Sequence, residues 1–170
     1  MNPYDLLAKD ALELLLEDAG VVERQLEITH AAQYVDVTFT PSPEGQPLLR
    51  TRGLLGRMAS RPCGWELFHD TPSLSKVRAA AYKHLGWHAA LVQRAPKRHP
   101  PPLPPLYVVT AEVAPKLLSR LQATARPRWP AGFYDASVGL LGLCVVVVPA
   151  LPDTRATLPL RLMGRDGQLE

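Results

Sequence analysis

The stretch GLCVVVVPAL at 142–151 carries no charge and four consecutive valines, and it limits the possible folds more than any other part of the chain. The whole apolar run from 138 to 151 is too short for a membrane-spanning helix, which needs about 20 residues, and Pro149 interrupts it. A β-branched run of this kind is expected as an interior strand of a sheet. At 170 residues and 46% hydrophobic content, the chain has material for one core. A single domain over 1–170 is expected, with a core at about 4–151 and a C-terminal tail at 152–170.

The rest of the pattern supplies the partners of that strand. PYDLLAKDALELLLED (3–18) places Leu7, Ala11, Leu14 and Leu15 at helical spacing opposite Asp10, Glu13 and Glu17, and Gly20 follows as a stop. VVERQLEIT (21–29) alternates as a half-exposed strand, and YVDVTFTP (34–41) is a second strand ended by Pro41 and Pro43. Residues 42–61 suggest a loop with one helical turn. CGWELFH (63–69) is a third strand. A long helix over 70–95 follows, with Thr71 as cap, Pro72 at its first position and a core stripe of Val77, Ala81, Leu85 and Val92. PKRHPPPLPP (96–105) is a stiff extended connection. Strand 106–113, a short helix at 114–123 behind Pro115, and strand 142–151 complete the order, with a helical turn capped by Asp153 in the tail. The expected class is α/β, a mixed central sheet flanked by helices.

Two strands each carry one carboxylate in an otherwise apolar setting: Asp36 in YVDVTF and Glu66 in GWELFH. An unpaired buried charge costs several kcal/mol, so each needs a partner. A structural ion pair is one solution and a divalent metal is the other.

The acidic opening helix, a strand pair bearing Asp36, a third strand bearing Glu66 and a long helix together resemble the layout of PD-(D/E)XK nucleases, whose core is restriction-endonuclease-like, αβββαβ. Within that superfamily YDLLAKDAL is similar to the N-terminal D-x-x-x-K helix of the recombination-promoting nuclease and putative transposase group. The resemblance covers about residues 4–112. It implies a Mg²⁺-dependent (or Mn²⁺-dependent) DNA endonuclease in which Asp36 and Glu66 hold the metal, or a diverged descendant of one. The family lysine, two residues after the glutamate, is replaced here by Phe68. Some members take the lysine from the following helix; the resemblance then implies Lys83, with Lys76 second. Glu13 or Glu17, with Gln25 and Glu27, correspond to the accessory acid of some members. DNA is the implied partner, with a homodimer or a protein partner as further possibilities. The alternative reading is a catalytically inactive interaction or accessory module of the same fold, with both carboxylates structural.

Charge fits a polyanion partner without requiring one. Residues 1–27 hold seven acidic and two basic residues, whereas the remainder holds 17 basic and nine acidic. Cys63 and Cys144 are far apart and outside any CxxC pair, so they are expected as buried thiols. His84 and His88 have the i, i+4 spacing of a zinc pair, but HLGWH lacks the zincin glutamate, so core or rim histidines are expected. His69 falls on the strand face opposite Glu66. ARPRWPAGFY (125–134), with Trp129 and Tyr134, is expected as a surface loop packed down by its aromatics, although such residues also suit base stacking; Trp65 and Trp87 complete the tryptophans. The N-terminus MNPYDLLAKDAL lacks a basic and an apolar leader region, so a cytoplasmic location with no membrane contact is expected.

Overall fold

The architecture follows from how the valine strand is covered. The computed structural model describes residues 3–27, 34–112, 114–139 and 141–163. In chain order these form α1 (Pro3–Leu16), β1 (Gly20–Glu27), β2 (Tyr34–Pro41), α2 (Gln46–Thr51), α3 (Gly53–Met58), β3 (Cys63–Phe68), α4 (Leu74–Arg94), β4 (Leu106–Thr110), α5 (Pro115–Arg120), β5 (Thr124–Ala125), β6 (Phe133–Val138), β7 (Leu141–Val147), a 3-10 turn (Val148–Ala150) and α6 (Leu158–Leu162). All seven strands join one sheet in the order β1-β2-β3-β4-β7-β6-β5. The pairs β3/β4 and β4/β7 are parallel and the other four are antiparallel. Parallel strands need both faces covered, and β4 is buried at every residue while β7 exposes only Gly142. The expected mixed α/β sheet with flanking helices is therefore what forms.

Two cores lie on the two faces. On one, Phe39, Trp65, Tyr107, Val146 and Phe133 pack under α1, α2, α3 and α6 through Leu12, Leu16, Leu49, Leu55 and Leu160. On the other, Val108, Val145 and Val147 pack under α4 and α5 through Val77, Ala80, Ala81 and Leu117. Trp65 is fully enclosed; its indole donates to Cys63 Sγ at 3.2 Å, and its ring meets Tyr107 edge-on at 5.7 Å. Truncating a tryptophan so placed costs about 3–5 kcal/mol.

Several elements differ from the sequence expectation. The buried stripe of α1 is Ala8, Leu12 and Leu16, and Leu7 and Leu14 are exposed; the stripe is rotated by one residue from the expected one. Residues 42–61 hold two short helices where a loop with one turn was expected. Gly53 at φ +57° turns the chain between them, with Ala156 so close that a Cβ would stand 2.9 Å from its carbonyl oxygen. The cap of α4 is Ser73, whose hydroxyl accepts from Lys76 N, whereas Thr71 N donates to Glu112 Oε2 at 3.2 Å. Its core face is Val77, Ala80, Ala81, His84 and Trp87, with Leu85 and Val92 exposed. Strand β6 begins at the end of the expected aromatic loop and continues through residues for which no element was expected, with Tyr134 and Ala136 in the α4-side core and the strand paired to β7. The last helix starts at Leu158 after Thr157, not at Asp153.

Candidate functional site

The β2/β3 ladder ends at Val37 opposite Trp65, so continuing that register by one residue sets Asp36 opposite Glu66. Directly opposed residues on one sheet face have Cβ atoms about 5 Å apart, and like charges there repel. Beyond the ladder the Asp36 side chain takes over from the strand backbone: its Oδ2 accepts from Leu67 N at 3.1 Å. The two carboxylates thus meet at the point where β2 and β3 part.

Two lysines converge on them from opposite helical layers. Lys9 of α1 is 4% exposed and places Nζ 3.1 Å from Asp36 Oδ1. Lys83 of α4 places Nζ 2.7 Å from both oxygens of Glu66. That central position gives Oε2 a directed hydrogen bond and leaves Oε1 buried with electrostatic contact alone. Glu66 is 3% exposed, while the side chains of Asp36 and Lys83 are 22% and 19% exposed. The cluster therefore opens to solvent on the Asp36 and Lys83 side. Burial pushes the Glu66 carboxyl up to about 7, the Asp36 charge adds to the rise, and Lys83 opposes it.

Phe68, where the resemblance would set a lysine, packs against the α4-side core. It lies on the same strand face as Glu66, and the cation at Glu66 comes from α4 instead. Lys76 does not reach the cluster. Its side chain is 55% exposed and its nearest carboxylate is Asp70 at 3.9 Å; seven residues separate the two lysines by about 10 Å along the axis. Glu13 is taken by Arg24 at 2.8 Å, Glu17 is exposed, and the side chains of Gln25 and Glu27 lie outside the described residues. None of these adds an acid to the pair among the described residues. Lys9, the lysine of the D-x-x-x-K pattern in YDLLAKDAL, is a participant to which the sequence reading gave no role at the acids, although it sits three and seven residues before Leu12 and Leu16 on their buried stripe.

The histidines hold the proline loop. His84 is fully buried with Nε2 2.7 Å from the Pro104 carbonyl oxygen, and His88 Nε2 lies 3.0 Å from that of Pro101. Prolines lack donors but keep carbonyls, so two histidines one turn apart fix this segment against α4. A carbonyl partner makes His84 Nε2 the donor, and desolvation lowers its pKa and keeps it neutral. His69 is exposed beside Asp70. Cys63 and Cys144 are buried free thiols, with Cys63 pushed up to about 12 by burial.

Magnesium asks for hard oxygen ligands and keeps several waters, so two carboxylates plus a phosphate oxygen suffice. Asp36 and Glu66 offer that donor set, and the buried Glu66 Oε1 is held by the Lys83 ammonium at 2.7 Å, a cation that a metal would replace. No group of three or more His, Cys, Asp or Glu side chains suited to a metal occurs among the described residues. No helix among them is long and apolar enough to cross a membrane. No protein-family model, curated protein or solved structure matches the chain.

Proposed function

We propose that the chain is a Mg²⁺-dependent (or Mn²⁺-dependent) phosphodiesterase acting on DNA, with Asp36 and Glu66 as metal carboxylates and Lys83 as the assisting cation. One observation carries this reading: two acids face each other where β2 and β3 part, with a lysine from α4 seated on the second acid. The run α1-β1-β2-β3-α4-β4, interrupted only by the two short helices α2 and α3, is the αβββαβ order that the resemblance implies.

A bound divalent ion supplies Lewis-acid polarisation of a phosphate and a more acidic water. The chain's own groups do the rest. Asp36 is held in orientation by the Leu67 amide and Lys9. The buried Glu66 Oε1 is held by the Lys83 ammonium at 2.7 Å. Lys83, on the solvent side, is free to turn from Glu66 toward a phosphate oxygen when another cation takes its place. Lys9 stays buried and holds the Asp36 carboxylate in place.

A second reading has its own support. Two lysines neutralise two carboxylates, which is the composition of a structural charge cluster in a non-enzymatic module that acts through a protein partner. Calorimetric titration of Mg²⁺ and Mn²⁺ into the wild type and the Asp36→Ala, Glu66→Ala double variant separates the two. Binding lost in the variant, with Mg²⁺-dependent nicking of DNA by the wild type alone, supports the phosphodiesterase. Absence of binding at millimolar metal in a folded wild type rejects it.

A further inference from the structure

Between the end of α1, the α2–α3 turn and the start of α6 the surface opens into a cavity of about 600 Å³, within the size range of sites that hold small organic molecules. Leu14, Leu15, Leu55 and Leu158 give it apolar walls, and Arg50, Arg52 and Arg155 are the charged residues of its lining. No acidic residue lines it, and neither do Lys9 and Lys83 of the acidic-pair cluster. Leu14 is 70% exposed and Leu158 46%, so two leucines from different elements leave apolar surface open to water at one place.

The walls are tied to one another. Arg52 Nη2 donates to Asp18 Oδ2 at 2.6 Å, which joins the α2–α3 turn to the segment that follows α1. Leu54 N donates to the Ala156 carbonyl oxygen at 3.2 Å, and Gly53 at φ +57° permits that close approach. The buried Thr157 hydroxyl accepts from Thr154 N at 3.2 Å and so closes the turn that leads into α6. A cavity fixed in this way is ready before its ligand arrives, which lowers the entropy lost on binding. Exposed arginines occur elsewhere on the chain; those of this cavity are set apart by the leucines they share it with. Arg52 is matched by Asp18, which leaves Arg50 and Arg155, both exposed, as the cations the cavity offers. A guanidinium takes a carboxylate through two parallel N–H···O bonds, while leucines take the apolar body of the same molecule. A cation finds no counter-charge in this lining and a neutral apolar molecule leaves the arginines unused. An organic anion uses both halves.

We infer that this cavity is a binding site for a small organic anion, an alkyl carboxylate whose head is taken by Arg50 and Arg155 and whose body lies against Leu14 and Leu158, separate from the acidic pair and independent of metal. The probe is decanoate, titrated calorimetrically into the full chain below its micelle concentration, with decanamide as the neutral counterpart. The variants are the double Arg50→Gln, Arg155→Gln and, as a control of equal charge change, the double Arg94→Gln, Arg98→Gln at two exposed arginines outside the cavity, all checked for fold by circular dichroism. The wild type and the control are expected to bind decanoate at one saturable site. The Arg50, Arg155 variant is expected to bind it about 10-fold or more weakly, the cost of a lost charged hydrogen bond, and decanamide is expected to bind the wild type more weakly by a similar factor. Methyl NMR spectra of the wild type are expected to show the Leu14 and Leu158 signals shifting as decanoate is added. No saturable binding to the folded wild type at millimolar decanoate overturns the inference. So does equal binding of decanoate and decanamide, an equal loss in the two double variants, or methyl shifts confined to other leucines. Binding to phosphatidylserine vesicles that depends on Arg50 and Arg155, with none of monomeric decanoate, also overturns it and assigns the surface to a membrane.

Discussion

Replacing Glu66 by glutamine tests the electrostatics of the acidic pair directly. Folding raises the Glu66 carboxyl from 4.5 to about 7. Between those values the folded state holds a proton that the unfolded state has lost, so the wild type loses stability as pH rises through this window. At 1.36 kcal/mol per unit, the loss is about 3 kcal/mol once pH exceeds 8. The amide of Glu66→Gln mimics the protonated acid at every pH and escapes that loss. The two proteins are therefore expected to match near pH 4, and the variant is expected to be more stable by about 3 kcal/mol at pH 8–9. With a urea dependence of about 1–3 kcal/mol per molar, the unfolding midpoints diverge by about 1–3 M. The assay is urea unfolding followed by tryptophan fluorescence at half-unit pH steps. A constant difference between the proteins would refute the reasoning. So would a wild type that gains on the variant as pH rises, because Lys83 would then outweigh desolvation and hold Glu66 below its ordinary range. The same pair of proteins also reports on metal. Mg²⁺ is expected to raise the wild-type midpoint at pH 8 by mass action and to leave that of the variant unchanged.

Lys83→Met is expected to lower Mg²⁺-dependent turnover about 10²–10³-fold, the usual cost of removing one charge-stabilising donor, while calorimetry still detects metal. Lys76→Ala is expected to leave turnover and stability unchanged within about 0.5 kcal/mol, since the Lys76 side chain is 55% exposed and its ammonium stands 3.9 Å from the partly buried Asp70. Gly64→Ala is expected to destabilise by about 1–3 kcal/mol in a thermal melt, because its Cβ would stand 2.7 Å from Nδ1 of the fully buried His84.

Strand identity was legible because it rests on local composition. YVDVTFTP gave β2 at both ends, and the valine run gave an interior strand. Asp36 and Glu66 stood out because a carboxylate breaks an apolar period-two pattern. Helix faces were less legible. In α1, Leu7, Leu14 and Leu15 compete with Leu12 and Leu16 for the buried side, and only the sheet decides between them. The expected stripe did not include Lys9, so nothing in the helix pattern pointed to its pairing with Asp36. Strand β6 was obscured because FYDASV carries Asp135 and Ser137, and its order comes from pairing with β7 across the sheet. The stacking of Arg57 on Trp129 was invisible for a related reason, since the two meet only after α3 packs beside the segment that leads into β6.

The neutral balance of Lys9, Asp36, Glu66 and Lys83 does not by itself favour a structural role. A pair that served only to hold the fold would gain most from full enclosure with every oxygen bonded, and such pairs are often no better than packed apolar residues. Here the two halves differ. Lys9 is enclosed and its carboxylate also accepts the Leu67 amide, so that half is fixed on both sides. Lys83 reaches Glu66 from the solvent side and leaves Oε1 without a directed bond. Removing the Lys83 charge leaves Glu66 to take up the proton toward which burial already pushes it, whereas removing that of Lys9 leaves Asp36 facing Glu66 with no cation from α1. Lys9→Met is accordingly expected to cost more stability than Lys83→Met at pH 8, by about 1–3 kcal/mol, in urea unfolding of the two variants side by side. Equal costs would make the cluster symmetric and structural. A larger cost at Lys9 leaves Lys83 as the cation free to exchange, which is the property a metal and phosphate site needs.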